Sequence, residues 1–145
     1  MGNVSAVKCP CGSGRDYAKC CAHFIESNEI APNAEALMRS RYTAYTLNAE
    51  TYLLATWHPS TRPTSLPPDA GDKARWLGLE VKRYECDAGA DRAVVEFIAR
   101  FKIGGGRAER LHETSRLVRE EGRWFYIDAE LNGKNAQQRA AMAKD

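Results

Sequence analysis

Four cysteines within the first 21 residues constrain this chain more than any other feature. They lie in Cys9-Pro10-Cys11-Gly12-Ser13-Gly14-Arg15-Asp16-Tyr17-Ala18-Lys19-Cys20-Cys21, a C-x-C pair and a C-C pair separated by eight residues. A segment this short cannot hold a shape by packing alone. Two tight thiol pairs around a Gly-containing loop suit a tetrahedral zinc site, because thiolate is a soft ligand and a closed set of four sulfurs selects zinc over hard cations. The metal would supply the missing folding free energy. Two alternatives stand beside it: a pair of disulfides, which a reducing compartment disfavours, and His23 in place of one thiol. Redox chemistry at Cys20-Cys21 is a weaker option, since adjacent cysteines bridge only with strain. Four protein thiolates leave no open position for water, so the expected metal is structural rather than catalytic.

The loop around these cysteines is charged. Lys8, Arg15 and Lys19 lie near the ligands, and Asp16 opposes them. With Tyr17 they read either as a solvated loop or as a partner-binding surface. The formal net charge of the chain is +2, which four thiolates and one Zn2+ would cancel. A balance that small gives no case for nucleic acid by itself, and sequence-specific DNA binding is not expected. No apolar run approaches the length of a membrane span, and the N-terminus lacks the basic-then-apolar pattern of a signal peptide. Gly2 with Ala6 misses a myristoylation pattern. The expected location is the cytoplasm, where thiols stay reduced. Cys86 stands alone near a strand end and reads as inert.

The remainder of the 145 residues is one modest domain. Residues 1–30 are read as the cysteine module and its linker, 31–130 as the main domain, and 131–145 as a polar, Ala-rich tail. Asn33 is a good N-cap and Glu35 follows in the first turn, so a helix begins after Asn33. Leu37, Met38, Arg41, Tyr42 and Tyr45 form its apolar stripe. Asn48 is expected to cap a second helix, about 49–57, ending at His58 before Pro59. Residues 59–72 hold four of the six prolines and read as a loop, with a short helix near Asp72 to Trp76. The period then changes to two. Four strands are expected at about 77–86, 92–102, 109–119 and 123–130. Val95, Phe97, Ala99 and Phe101 should share one face of the second. If Glu121-Gly122 is the whole last turn, Leu117 lies opposite Tyr126, Arg119 opposite Trp124 and Ser115 opposite Asp128. Helices followed by an antiparallel meander make an α+β layer fold, with a pocket expected at the open end of a curved sheet.

The cysteine segment, with its Gly-Ser-Gly and basic positions, resembles the SEC-C motif, the small zinc-binding module found at the C-terminus of the SecA translocase and in many other bacterial proteins. The resemblance implies that Cys9, Cys11, Cys20 and Cys21 are the ligands. The body resembles the YchJ or UPF0225 family through Leu37-Met38-Arg39-Ser40-Arg41-Tyr42, Thr56-Trp57-His58-Pro59, Trp76-Leu77-Gly78-Leu79, Val95 to Phe101, His112 to Arg116 and Trp124 to Asp128. That family looks NTF2-like, which implies a curved antiparallel sheet packed on N-terminal helices. Several relatives carry a second SEC-C motif at the C-terminus; here no cysteine follows Cys86.

Two functional classes follow. The first is a zinc-dependent module that docks on a protein or ribonucleoprotein, with Lys8, Arg15, Tyr17 and Lys19 making the contact and the NTF2-like body as scaffold. The second is an NTF2-like enzyme or small-ligand binder with its site in the cone. There Arg41 and Arg39 would hold an anion, Trp57 would stack, and His58 with Asp128 would form an acid/base pair. The same residues serve equally well as core and ion-pair partners, with the arginines on Glu96 or Glu113. No P-loop, G-x-G-x-x-G or G-x-S-x-G is present.

Overall fold

The computed structural model describes residues 7–64, 74–86 and 91–131, without the side chains of 74, 130 and 131. A 3-10 turn over Tyr17–Lys19 and three helices come first: α1 (Ala22–Ile25), α2 (Ala34–Thr46) and α3 (Glu50–Ala55). Four strands follow, β1 (Ala74–Cys86), β2 (Arg92–Ile103), β3 (Glu109–Glu120) and β4 (Arg123–Leu131), paired antiparallel in the order β1-β2-β3-β4. The α+β meander expected from the sequence is the observed fold.

Helix α2 begins where its cap dictates. The Asn33 side chain accepts a hydrogen bond from the Ala36 amide at 2.8 Å, which satisfies one of the helix's orphan donors. Its apolar residues pack on the inner face of the sheet, where Val95, Phe97, Ala99, Phe101, Leu111, Leu117, Trp124 and Tyr126 form one buried cluster with Leu37, Met38 and Tyr42. The helix is also buried on a second side by Ser40, Thr43 and Ala44.

Four local expectations need correction, three of them before β2. Asn48 does not cap α3; it takes a left-handed conformation, φ 57°, directly after the end of α2. Asn tolerates that region, so it closes one helix rather than opening the next. Helix α3 ends at Ala55, short of His58, because the chain turns to pair with the sheet. The Tyr126 amide donates to the Thr56 carbonyl at 2.9 Å and the His58 amide to the Tyr126 carbonyl at 2.8 Å, so residues 56–58 cover part of the β4 edge. Finally, Ala74–Trp76 opens β1 instead of ending a short helix; the rest of that segment, and residues 132–145 of the expected tail, lie outside the described residues.

The last hairpin turns on Glu121 and Gly122, at φ 53° and 80°. Positive φ at both residues matches the twist of the flanking strands. Leu117 therefore faces Tyr126 and Arg119 faces Trp124. Ser115 faces Ala129, not Asp128: a register shift makes Ile127 an extra residue, and Asp128 comes opposite Arg116.

Candidate metal centre

Short-range hydrogen bonds build the cysteine loop. Lys8 and Asp16 form an antiparallel bridge, and the Cys9 amide donates to the Arg15 carbonyl at 2.9 Å. The 3-10 turn then delivers Cys20, whose amide donates to the Tyr17 carbonyl at 3.0 Å, and Cys21 opens α1. All four cysteines are free and buried, and their sulfurs lie within 4.8 Å of one another. Cys11 Sγ and Cys20 Sγ are 3.7 Å apart. Sulfurs at the usual zinc distance of about 2.3 Å, set tetrahedrally, would be separated by about 3.8 Å. The donor set and its spacing thus fit a metal ion. His23 does not join it: its Nδ1 is 3.0 Å from a Glu29 carboxylate oxygen.

Packed thiols compete for charge. Contacts with the Cys11 and Cys9 thiols, then burial, push the Cys21 thiol up, whereas hydrogen bonds from Cys11 and Cys21 pull Cys9 down. A divalent cation removes this competition, because four thiolates can then face one opposite charge.

The cluster does not stand apart from the body. Thr43 of α2 is fully buried; its hydroxyl donates to Cys21 Sγ at 3.4 Å and lies 3.6 Å from Cys9 Sγ. Arg39, one turn earlier, donates to the Cys11 carbonyl at 2.7 Å and pairs with Glu35 at 3.1 Å. Gly12 has φ +82°, and a Cβ there would sit 2.9 Å from the Leu79 carbonyl oxygen of β1. Only glycine allows both that conformation and that approach. Within the loop, Ser13 Oγ is 3.2 Å from Cys20 Sγ. Thr43 and Arg39 were not expected as neighbours of the site. The available signal was the run of small residues Ser40, Thr43 and Ala44, which marks a second close-packed face on α2.

The other expected site residues are dispersed. Lys8 meets Asp16 at 3.7 Å and donates to the Gly14 carbonyl at 3.2 Å. Tyr17 packs against the cysteines and donates to Glu26 at 2.7 Å; burial, then that carboxylate, pushes its phenol up. Arg15 and Lys19 are exposed. Arg41 is 2% exposed, with its guanidinium 5.2 Å from the centroid of Trp57 and 4.6 Å from that of Tyr126. Its Nη1 donates to the Leu53 carbonyl at 2.8 Å and to Thr56 Oγ1 at 2.7 Å. His58 and Asp128 are not brought together. His58 contacts Glu120 at 3.0 Å and Ser60 at 2.8 Å, and Asp128 pairs with Arg116 at 2.7 Å. Glu96 takes His112 and Arg83, not Arg39 or Arg41.

Fold and site together define an NTF2-like domain carrying an N-terminal SEC-C cysteine module. Residues 33–129 match the family described as YchJ, middle NTF2-like domain, and residues 8–22 match the SEC-C motif. The chain belongs to the YchJ or UPF0225 family. It is 58% identical over 125 residues to a UPF0225 protein of Chromobacterium violaceum, covering 82% of this chain and 89% of the relative. A UPF0225 protein of Xanthomonas campestris is 53% identical, with 83% and 92% covered. Among solved structures, a SEC-C motif containing protein from Rhodopseudomonas palustris superposes with a TM-score of 0.77 at 35% identity, covering 88% of this chain and all of that one. Another from Psychrobacter arcticus gives 0.73 at 26%, covering 90% and 86%. Among the described residues, no helix is long and apolar enough to cross a membrane.

Proposed function

We propose that the protein carries one structural Zn2+ on Cys9, Cys11, Cys20 and Cys21, and that the metal clamps a docking loop onto the NTF2-like body. The observation that carries this is the closed, buried set of four sulfurs, two of them touched by Thr43 of the body's own helix. Soft thiolate ligands and a closed site favour zinc with a structural role, in a reducing cytoplasm. The loop it holds turns Arg15 and Lys19 outward. These two, with Lys8 and Tyr17 at the rim, form the surface offered to a protein or ribonucleoprotein partner. An enzymatic or small-ligand reading of the cone has weaker support, since Arg41 already has ring and carbonyl partners and His58 and Asp128 lie on different carboxylate and guanidinium partners.

Affinity capture tests the docking surface. Zinc-loaded protein should retain a partner in a salt-sensitive manner. The double variant Arg15→Ala/Lys19→Ala should lose it while keeping its metal. Unchanged capture by that variant would show that the surface lies elsewhere.

A further inference from the structure

The stretch Thr56-Trp57-His58-Pro59 leads into a second constellation, at the edge of β4. His58 Nε2 lies 3.0 Å from a Glu120 carboxylate oxygen, and its Nδ1 lies 2.8 Å from Ser60 Oγ. A third contact fixes the tautomer. The Ser60 amide donates to Nδ1 at 3.0 Å, and an amide N–H can only donate, so Nδ1 carries a lone pair and Nε2 the proton. The imidazole is thus a base turned toward a hydroxyl, with a carboxylate behind it. Its side chain is only 16% exposed, and the Phe125 ring meets it at a right angle, 5.8 Å between centroids. Phe125 alternates with the buried Trp124 and Tyr126, so this contact faces away from the cone. Backbone pairing of Thr56 and His58 with Tyr126, and the Thr61 hydroxyl on the Ile127 carbonyl at 2.7 Å, already fix the segment to β4. The imidazole is not needed for that. Pro59 restricts φ between base and hydroxyl. Ser60 is exposed, so a substrate can reach it.

We propose that Ser60 is a nucleophile that takes a short acyl group from a thioester, with His58 as general base and Glu120 as the residue that positions it. A hydroxyl is a weak nucleophile until an adjacent base takes its proton, and the base needs a third group to fix its tautomer and steady the imidazolium. Both relations are present here at hydrogen-bond distance. Ser60 Oγ attacks the acyl carbon as its proton passes to Nδ1. The tetrahedral adduct collapses, the carbon–sulfur bond breaks, and the leaving thiolate takes the proton from Nδ1. Water then releases the acyl group by the same moves, giving a carboxylic acid and the free hydroxyl. The surroundings of the hydroxyl set the substrate class. The Ser60 amide is engaged with Nδ1, and the Thr61 amide with the His58 carbonyl at 3.1 Å, so neither is placed to receive an oxyanion. An amide or alkyl ester, with its poor leaving group, would stall there. A thioester or aryl ester would not. This site is independent of the cysteine loop and of the cone.

Acylation of the zinc-loaded full chain tests this, in a Cys86→Ser background that removes the exposed competing thiol. The probes are p-nitrophenyl acetate, followed by colour, and the acetyl thioester of N-acetylcysteamine, followed by peptide mass mapping. The first should release a burst of about one p-nitrophenolate per chain, and both should leave acetyl on Ser60. Ser60→Ala should abolish burst and adduct while melting with its parent, since the position is exposed. Ser27→Ala, at an exposed serine elsewhere, should keep both. His58→Gln should slow acylation by about a hundredfold or more. Glu120→Gln can still accept the Nε2 proton but has no charge, so it should acylate more slowly than Glu120→Asp. A purely structural anchor would give the opposite order. No adduct on Ser60, adducts on lysines alone, or an undiminished burst in Ser60→Ala would overturn the proposal. So would Glu120→Gln reacting as fast as Glu120→Asp.

Discussion

One hydroxyl on α2, that of Thr43, touches two of the four sulfurs. Groups that hydrogen-bond to a metal's ligands orient them, and their loss typically lowers metal affinity 10–100-fold. Thr43→Val keeps the shape and removes the donor. It should weaken zinc by about that factor in a chelator competition, without changing the stoichiometry at excess metal. Arg41 belongs to the same scale. Lying close to two rings and donating to a carbonyl and a hydroxyl, it should act in stability rather than in binding. Arg41→Ala should lower the stability of metal-loaded protein by about 3 kcal/mol in urea unfolding, since charge-assisted hydrogen bonds and the ring contacts go together. A negligible loss would return Arg41 to the list of ligand-binding candidates. The cysteines were legible in the sequence because their chemistry and spacing are local. Thr43 and Arg39 were not, because their contacts to the cysteine loop depend on how two distant segments pack.

At the scale of elements, the strands were the most legible part. Alternation marks an inner face directly, and all four strands fall within a few residues of their expected bounds. The shift at Ile127 left no such mark, since one extra residue changes the register without changing composition. Asn48 misled for a related reason: Asn favours both a helix start and a left-handed helix stop, and only the path of the chain chooses. The Asn33 cap was plain, and Asn33→Ala should cost about 1 kcal/mol. On the outer face, Glu96 is held below the usual carboxylate range by the hydrogen bond from His112 and then by Arg83. A depressed carboxylate adds stability that is complete above its unfolded pKa and disappears as pH falls through the folded one. The stability gap between wild type and Glu96→Gln should therefore be open at neutral pH and close in acid, as thermal melts against pH would show.

For the whole molecule, a boundary near residue 30 between cysteine module and main domain would imply a metal that serves the N-terminal module alone. The contacts favour a different outcome. The cysteines bury against α2, Arg39 grips the Cys11 carbonyl, and Gly12 abuts β1. Removal of the metal should then expose amides in α2 (Ala34–Thr46) as well as residues 8–25 to hydrogen exchange, while β2 and β3 stay protected. Exchange confined to the module would mean that the body ignores the metal. The most direct test of a zinc site on these cysteines is the metal content of protein purified without added metal, measured by elemental analysis beside Cys11→Ser/Cys21→Ser. Wild type should carry about one zinc per chain and the variant none; a metal-free wild type, or a variant that keeps its zinc, would contradict the assignment.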